Sequence, residues 1–158
     1  MGLEAVTSNL ITFMRNKLTD PTGQGRTWIF PTMPKVTASF PEITLVNYGS
    51  KSKEIGIGNT GQRFTYMFEI EVWVKRDNQV TISTGVSPNV VNTIYAGRRL
   101  LEYISDNVTN AFLDNKDTLL NSYNFIDVIV DGHFNLPYDD EIDCFRKSMQ
   151  LKVITRRT

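Results

Sequence analysis

Few residues in this 158-residue chain are of types that could do chemistry. The single histidine, His133, stands between Asp131 and an acidic run made of Asp139, Asp140, Glu141 and Asp143. Imidazole with carboxylates can ligate a divalent cation, but the spacing fits neither an EF-hand loop nor a zinc motif, so the run reads as a solvated acidic loop. A serine or cysteine nucleophile would have to use that same histidine as its base, and no G-x-S-x-G turn or H-E-x-x-H helix supports such a pair. Glu69 and Glu71 lie two apart on what alternation makes the polar face of a strand, where solvent would keep both ionised and neither tuned as an acid. Gly56-Ile57-Gly58-Asn59-Thr60-Gly61 matches the G-x-G-x-x-G string of dinucleotide sites. That string works when a strand enters it and a helix N-terminus leaves it; here a strand leaves it, which predicts a hairpin loop that orders against a partner. The expectation is a protein that is not an enzyme and takes no cofactor and no metal.

Composition points the same way. Lys plus Arg number 17 and Asp plus Glu 17, so the net charge is zero and no global field recruits a phosphate backbone. Hydrophobic residues make up 41% and charged residues 22%, an ordinary globular balance. A chain of this length buries enough surface to fold as one domain, residues 1–158, without staples. The lone Cys144 cannot form an internal bridge and suits synthesis in a reducing cytoplasm. Glu4 and the Asn and Thr residues that interrupt the first apolar stretch are unlike a secretory leader, which leaves the sequon Asn107-Val108-Thr109 a coincidence. Position 6 is Val, not the Ser or Thr of a myristoylation signal, and no apolar run approaches the roughly 20 residues that span a bilayer.

Several elements must hold these residues in place. Leu3, Val6, Leu10, Phe13 and Met14 recur at three- and four-residue steps and predict a helix to about Leu18, stopped by Asp20-Pro21-Thr22-Gly23. Trp28–Phe30 and Ile43–Tyr48 are short β-prone runs bounded by prolines and Gly49. From Arg63 to Lys75, Phe64, Tyr66, Phe68, Ile70, Val72 and Val74 alternate with a mostly polar set, predicting a long strand with one dry face. Met67 and Trp73 on the other face call for a cover, either a partner or a second layer of the same chain. Asp77–Ser87 reads as a polar connection. Ser87-Pro88 reads as the cap and first residue of a longer helix carrying Val90, Ile94, Leu101, Ile104 and Val108 to near Phe112, with a short helical continuation to Ser122. Phe125–Val130 reads as a strand ended by Asp131-Gly132, and alternation returns from Cys144. Helix, strands, helix and two strands, without regular strand–helix alternation, predict an α+β fold, a mostly antiparallel sheet packed against two helices. Arg63, Arg98, Arg99 and the tail Arg156-Arg157 could meet the acidic loop at Asp139 and Asp140 on an identical copy, head to tail.

Taken together, this layout resembles the tail-terminator and tail-completion proteins of tailed bacteriophages. The resemblance lies in the small neutral chain, the opening helix with Leu10-Ile11-Thr12-Phe13, and the Pro-rich Trp28–Pro41 passage into Ile43-Thr44-Leu45-Val46. It continues through the strand Phe64–Lys75, the segment Tyr95-Ala96-Gly97-Arg98-Arg99-Leu100-Leu101, and the closing Met149-Gln150-Leu151-Lys152-Val153. It implies a structural virion protein made in the host cytoplasm and placed at the neck. Such a protein forms a ring with itself, typically a hexamer, on the last ring of tail-tube protein. It halts tube growth and faces the head–tail connector, with a lumen that passes DNA without reading sequence. Lys51 and Lys53, in the segment Gly49–Gln62, then join Arg63, Met67, Trp73, Arg98, Arg99, Asp139 and Asp140 as expected subunit-interface residues, and Asp77–Ser87 as a tube or neighbour contact. The nearest rivals are another neck or head–tail joining protein and a tail-tube subunit; a small ligand-binding domain is the more distant one.

Overall fold

A computed structural model describes residues 1–35, 38–54 and 62–156. Helix α1 (Leu3–Lys17) comes first, then strands β1 (Ile29–Phe30), β2 (Glu42–Glu54), β3 (Gln62–Lys75), β4 (Gln79–Thr84) and β5 (Val91–Ala96). Helices α2 (Gly97–Asp114) and α3 (Lys116–Ser122) follow, and strands β6 (Asp127–Asp139) and β7 (Cys144–Arg156) close the chain. The fold is α+β. Five strands form one sheet in the order β1-β2-β3-β7-β6, antiparallel throughout except for the two-residue β1, which runs parallel to β2. Strands β4 and β5 form a separate antiparallel hairpin. Among the described residues no helix is long and apolar enough to cross a membrane.

The dry face predicted for β3 is the floor of the core. Phe68, Ile70 and Val74 are fully buried there, with Ile43 and Leu45 on β2 and Leu151 and Val153 on β7 beside them. Val6, Leu10, Phe13 and Met14 of α1 and Leu100, Ile104, Val108 and Phe112 of α2 cover this floor. The rings of Phe13 and Phe112 meet at a centroid distance of 5.2 Å, within the range where aromatic pairs gain beyond their buried area. Helix α1 carries Glu4 in its first turn and Arg15 in its last, both favourable to the helix dipole. Arg15 also donates to the Ile29 carbonyl at 2.7 Å, which fixes the helix end to β1.

Three boundaries differ from the sequence expectation. The segment Asp77–Ser87 is not an irregular connection, and Ser87-Pro88 does not begin a helix. Val80 and Ile82 alternate with Thr81 and Ser83 to make β4, Thr93 and Tyr95 face them from β5, and α2 begins only at Gly97. β-branched residues dominate both runs, and proline's fixed φ serves a hairpin turn as readily as a first helical turn. Second, β2 passes through Gly49 by a β-bulge at Asn47/Gly49, where the Asn47 side chain donates to the carbonyls of Gly49 and Met67 at 3.0 Å each. Third, β6 does not end at Asp131-Gly132 but bulges there and continues to Asp139.

Candidate functional site

The second face of the sheet carries most of the residues singled out above, and strand register decides which of them meet. Across β2, β3 and β7 that face reads Glu42–Trp73–Arg146, Thr44–Glu71–Ser148, Val46–Glu69–Gln150, Gly49–Met67–Lys152, Lys51–Thr65–Ile154 and Lys53–Arg63–Arg156. At the first of these rows the cover is the chain's own. Trp73 is 3% exposed and packs with Phe40 and Cys144, flanked by Ala38 and Ile142. Its Nε1–H donates to Thr44 Oγ1 at 3.1 Å, and the Arg146 guanidinium stacks 4.8 Å from its ring. Trp73 is therefore covered by its own chain. Met67 lies mid-face, half-buried against Gly49 and level with Lys152.

The carboxyls under this cover depart from expectation. Glu71 is 5% exposed and its Oε2 has no hydrogen-bond partner, as is true of the buried Arg146 Nε. Burial pushes the Glu71 carboxyl above its ordinary range; Arg146 pulls it back, while Glu69 and Asp139 push it further. Solvent thus does not hold Glu71 ionised as a wet-face position would be held, because the 38–41 segment and the Trp73–Arg146 stack close over that end of the sheet. Glu69 instead accepts a hydrogen bond from the buried Ser148 hydroxyl. Glu42 is also buried, and desolvation raises it to about 7 against the pull of Arg26. Arg26 itself bridges from Asp20, at 3.2 Å, to the carbonyls of Ser39 and Pro41, clamping the 20–26 turn to the covering segment.

The acidic turn between β6 and β7 lies at this same end. Asp139 pairs with Arg146 at 3.6 Å and accepts from the Ile142 amide, and Asp143 pairs with Arg76 at 3.2 Å. Asp140 and Glu141 are exposed and have no ion-pair partner among the described residues. Arg98 and Arg99, in the first turn of α2, stack on Phe145 at 5.6 Å and Tyr95 at 4.9 Å. His133 is exposed on β6, and its neighbour Asp131 is bound by Lys152. No three His, Cys, Asp or Glu side chains converge on a metal-sized site among the described residues. The glycine string Gly56–Gly61 lies outside the described residues.

At the opposite end stand Lys51, Lys53, Arg63 and Arg156, all exposed. Sequence reasoning named the first three as interface residues and Arg156 as a cation that could meet an identical copy, but only register shows that Lys53, Arg63 and Arg156 lie abreast on adjacent strands. The hairpin β4–β5 is the feature sequence reasoning missed. From Asn78 to Gly97 it contains no Asp, Glu, Lys, Arg or His. Val86, Val90, Val91 and Ile94 on it are 82%, 48%, 60% and 53% exposed. Val80, Ile82 and Tyr95 join one side of it to the core. The signal was present as two β-branched runs separated by Gly85 and Pro88.

A cleft of about 440 Å³ opens between the end of α1, α2 and the hairpin, with Trp28, Tyr103 and Ile104 on its apolar side and Asn107, Asn110 and Asp114 on its polar side. No protein-family model matches the chain, and no curated protein matches it.

Proposed function

We propose that the chain is an assembly subunit of the tail-terminator kind. It rings the end of a phage tail tube with copies of itself, stops the tube from growing and offers its other face to the head connector. The observation that carries the reading is the β4–β5 arm. A lone two-stranded hairpin is marginal in water, and natural proteins guard free strand edges with charge. This arm has no charge and exposes four large aliphatic side chains, which suits a segment that is covered once a neighbouring subunit or tube ring is in place. The long outer edge of β6, unpaired among the described residues, adds a second strand edge suited to contact. The resemblance of the sequence to tail terminators supplies the identity of the assembly; the arm supplies the reason for one.

The test is light scattering of the purified chain, alone and with matched tail tubes, together with electron microscopy of tube ends. A particle of about six times the 18.0 kDa chain, or density confined to one tube end, is the expected outcome. Indefinite polymerisation would identify a tube subunit instead, and a monomer that ignores tubes would refute both. Replacing Val86, Val91 and Ile94 by serine should abolish tube-end density while leaving the far-ultraviolet circular dichroism unchanged.

A further inference from the structure

Like charges placed directly opposite one another on adjacent strands repel, and folds generally avoid the arrangement. Here Lys53 faces Arg63 and Arg63 faces Arg156, with Lys51 two residues behind on the same face. All four are exposed, and among the described residues no acid pairs with any of them within ion-pair distance. Asp127, whose carboxyl feels Arg63, is bound to Lys116 at 2.8 Å. The chain has as many acids as bases, so this repulsion is not forced by composition.

The compensating charge lies at the other end of the same sheet. Strand β3 begins beside the cation row and ends at Lys75, which is level with Cys144 and Asp139, where the acidic turn starts. At about 3.4 Å per residue the two ends are roughly 40 Å apart, several Debye lengths at physiological salt, so they cannot neutralise each other within one molecule. Two of the four acids in that turn are already paired; Asp140 and Glu141 are the free ones.

We propose that the row Lys51–Lys53–Arg63–Arg156 receives the Asp140–Glu141 turn of a second copy, head to tail along the sheet. This rests on the reading that the chain assembles with itself and adds which two surfaces meet. A contact between two different patches is heterologous, so it repeats around a ring that closes or along a filament that does not. The complementary charges also draw copies together in the right orientation, and salt weakens that attraction.

The test uses full-length protein and two variants: Lys51→Glu, Lys53→Glu and Arg63→Glu together, which leaves the row net negative with Arg156 its one remaining cation, and Asp140→Lys with Glu141→Lys. Each variant alone sets like charge against like, and its association should weaken by at least about tenfold. An equimolar mixture of the two restores opposite charges at every contact of an alternating assembly, so the mixture should regain the wild-type mass in light scattering. Raising salt from 0.1 to 1 M, which shortens the Debye length from about 10 to about 3 Å, should dissociate both the wild type and the mixture. Circular dichroism and urea midpoints confirm that each variant is folded. Assembly of either variant as well as the wild type overturns the proposal, as does a mixture that stays dissociated or a wild type that never self-associates. So does duplex DNA that binds the wild type, is lost when Lys51, Lys53 and Arg63 are all replaced by Glu, and leaves self-association untouched, because the row would then serve a polyanion. Density at tube ends is scored separately, so the terminator reading can survive loss of this contact.

Discussion

Replacing Glu42 by glutamine isolates the effect of one buried carboxyl. Burial beneath the 38–41 segment raises this group to about 7 from an ordinary 4.5, while Arg26 opposes the rise. Between those two values the folded chain keeps a proton that the unfolded chain releases. The folded state therefore loses stability as pH rises from about 4.5 to about 7, and the loss is complete above that. At 1.36 kcal/mol per pH unit the gap corresponds to roughly 3 kcal/mol. Glu42 sits at the start of its strand and lines a small cleft with Met33 and Lys35, so solvent screens part of this. About 1.5 kcal/mol is the expected effect. Glutamine keeps the shape and cannot ionise. The variant should match the wild type in urea unfolding at pH 5 and exceed it by about 1.5 kcal/mol at pH 8. Glu71 shifts in the same direction, but it is present in both proteins and cancels in the difference. A variant no more stable than wild type at pH 8, or equally more stable at both pH values, would refute the argument that desolvation dominates at this site.

Other perturbations follow from the packing. Phe68→Ala empties a fully buried site on the central strand and should cost about 3–5 kcal/mol in urea unfolding, with the far-ultraviolet spectrum retained in native buffer. Gly97 takes φ +49 where the arm meets α2, and a Cβ there would lie 3.3 Å from the Arg76 carbonyl oxygen and from the Phe145 ring. Gly97→Ala should therefore lower stability by about 1–3 kcal/mol. The Cys144 thiol is fully buried and pushed up to about 12 by desolvation. An aromatic disulfide reagent at pH 8 should leave it unmodified in the native protein and react promptly in concentrated urea; prompt native reaction would contradict the burial.

The sheet was readable where one face is dry and the other wet. On β3 and β7 the core members sit at every second residue, so period two stands out over a dozen positions, and both strands fall where the alternation places them. The arm was misread for a physical reason. Val90, Ile94 and Leu101 satisfy helical steps on paper, and Ser87-Pro88 is a good helix start, but residues 78–96 have no core to pack against along most of their length. A helix there would have had to bury a stripe that the structure leaves exposed. With tertiary packing limited to Val80, Ile82 and Tyr95, local β-branched preference decided the outcome. The longer β2 and β6 were missed because each passes a glycine through a bulge, and a bulge breaks the alternation without ending the pairing.

The residues expected at an interface were legible as types and not as arrangements. Trp73 on a polar face signalled a cover, yet the cover comes from Phe40 and Cys144, more than thirty and seventy positions away, and no local rule joins those three. Arg98 and Arg99 looked like free cations, but aromatic rings from β5 and β7 already sit beneath them. Lys53, Arg63 and Arg156 sit on three strands, two of them nearly a hundred residues apart in sequence, and become a single row only through register. Register is fixed by the apolar residues of the opposite face, since a one-residue slip would turn Phe68, Ile70 and Leu151 into solvent. The core that holds the fold together therefore also lines up the cations.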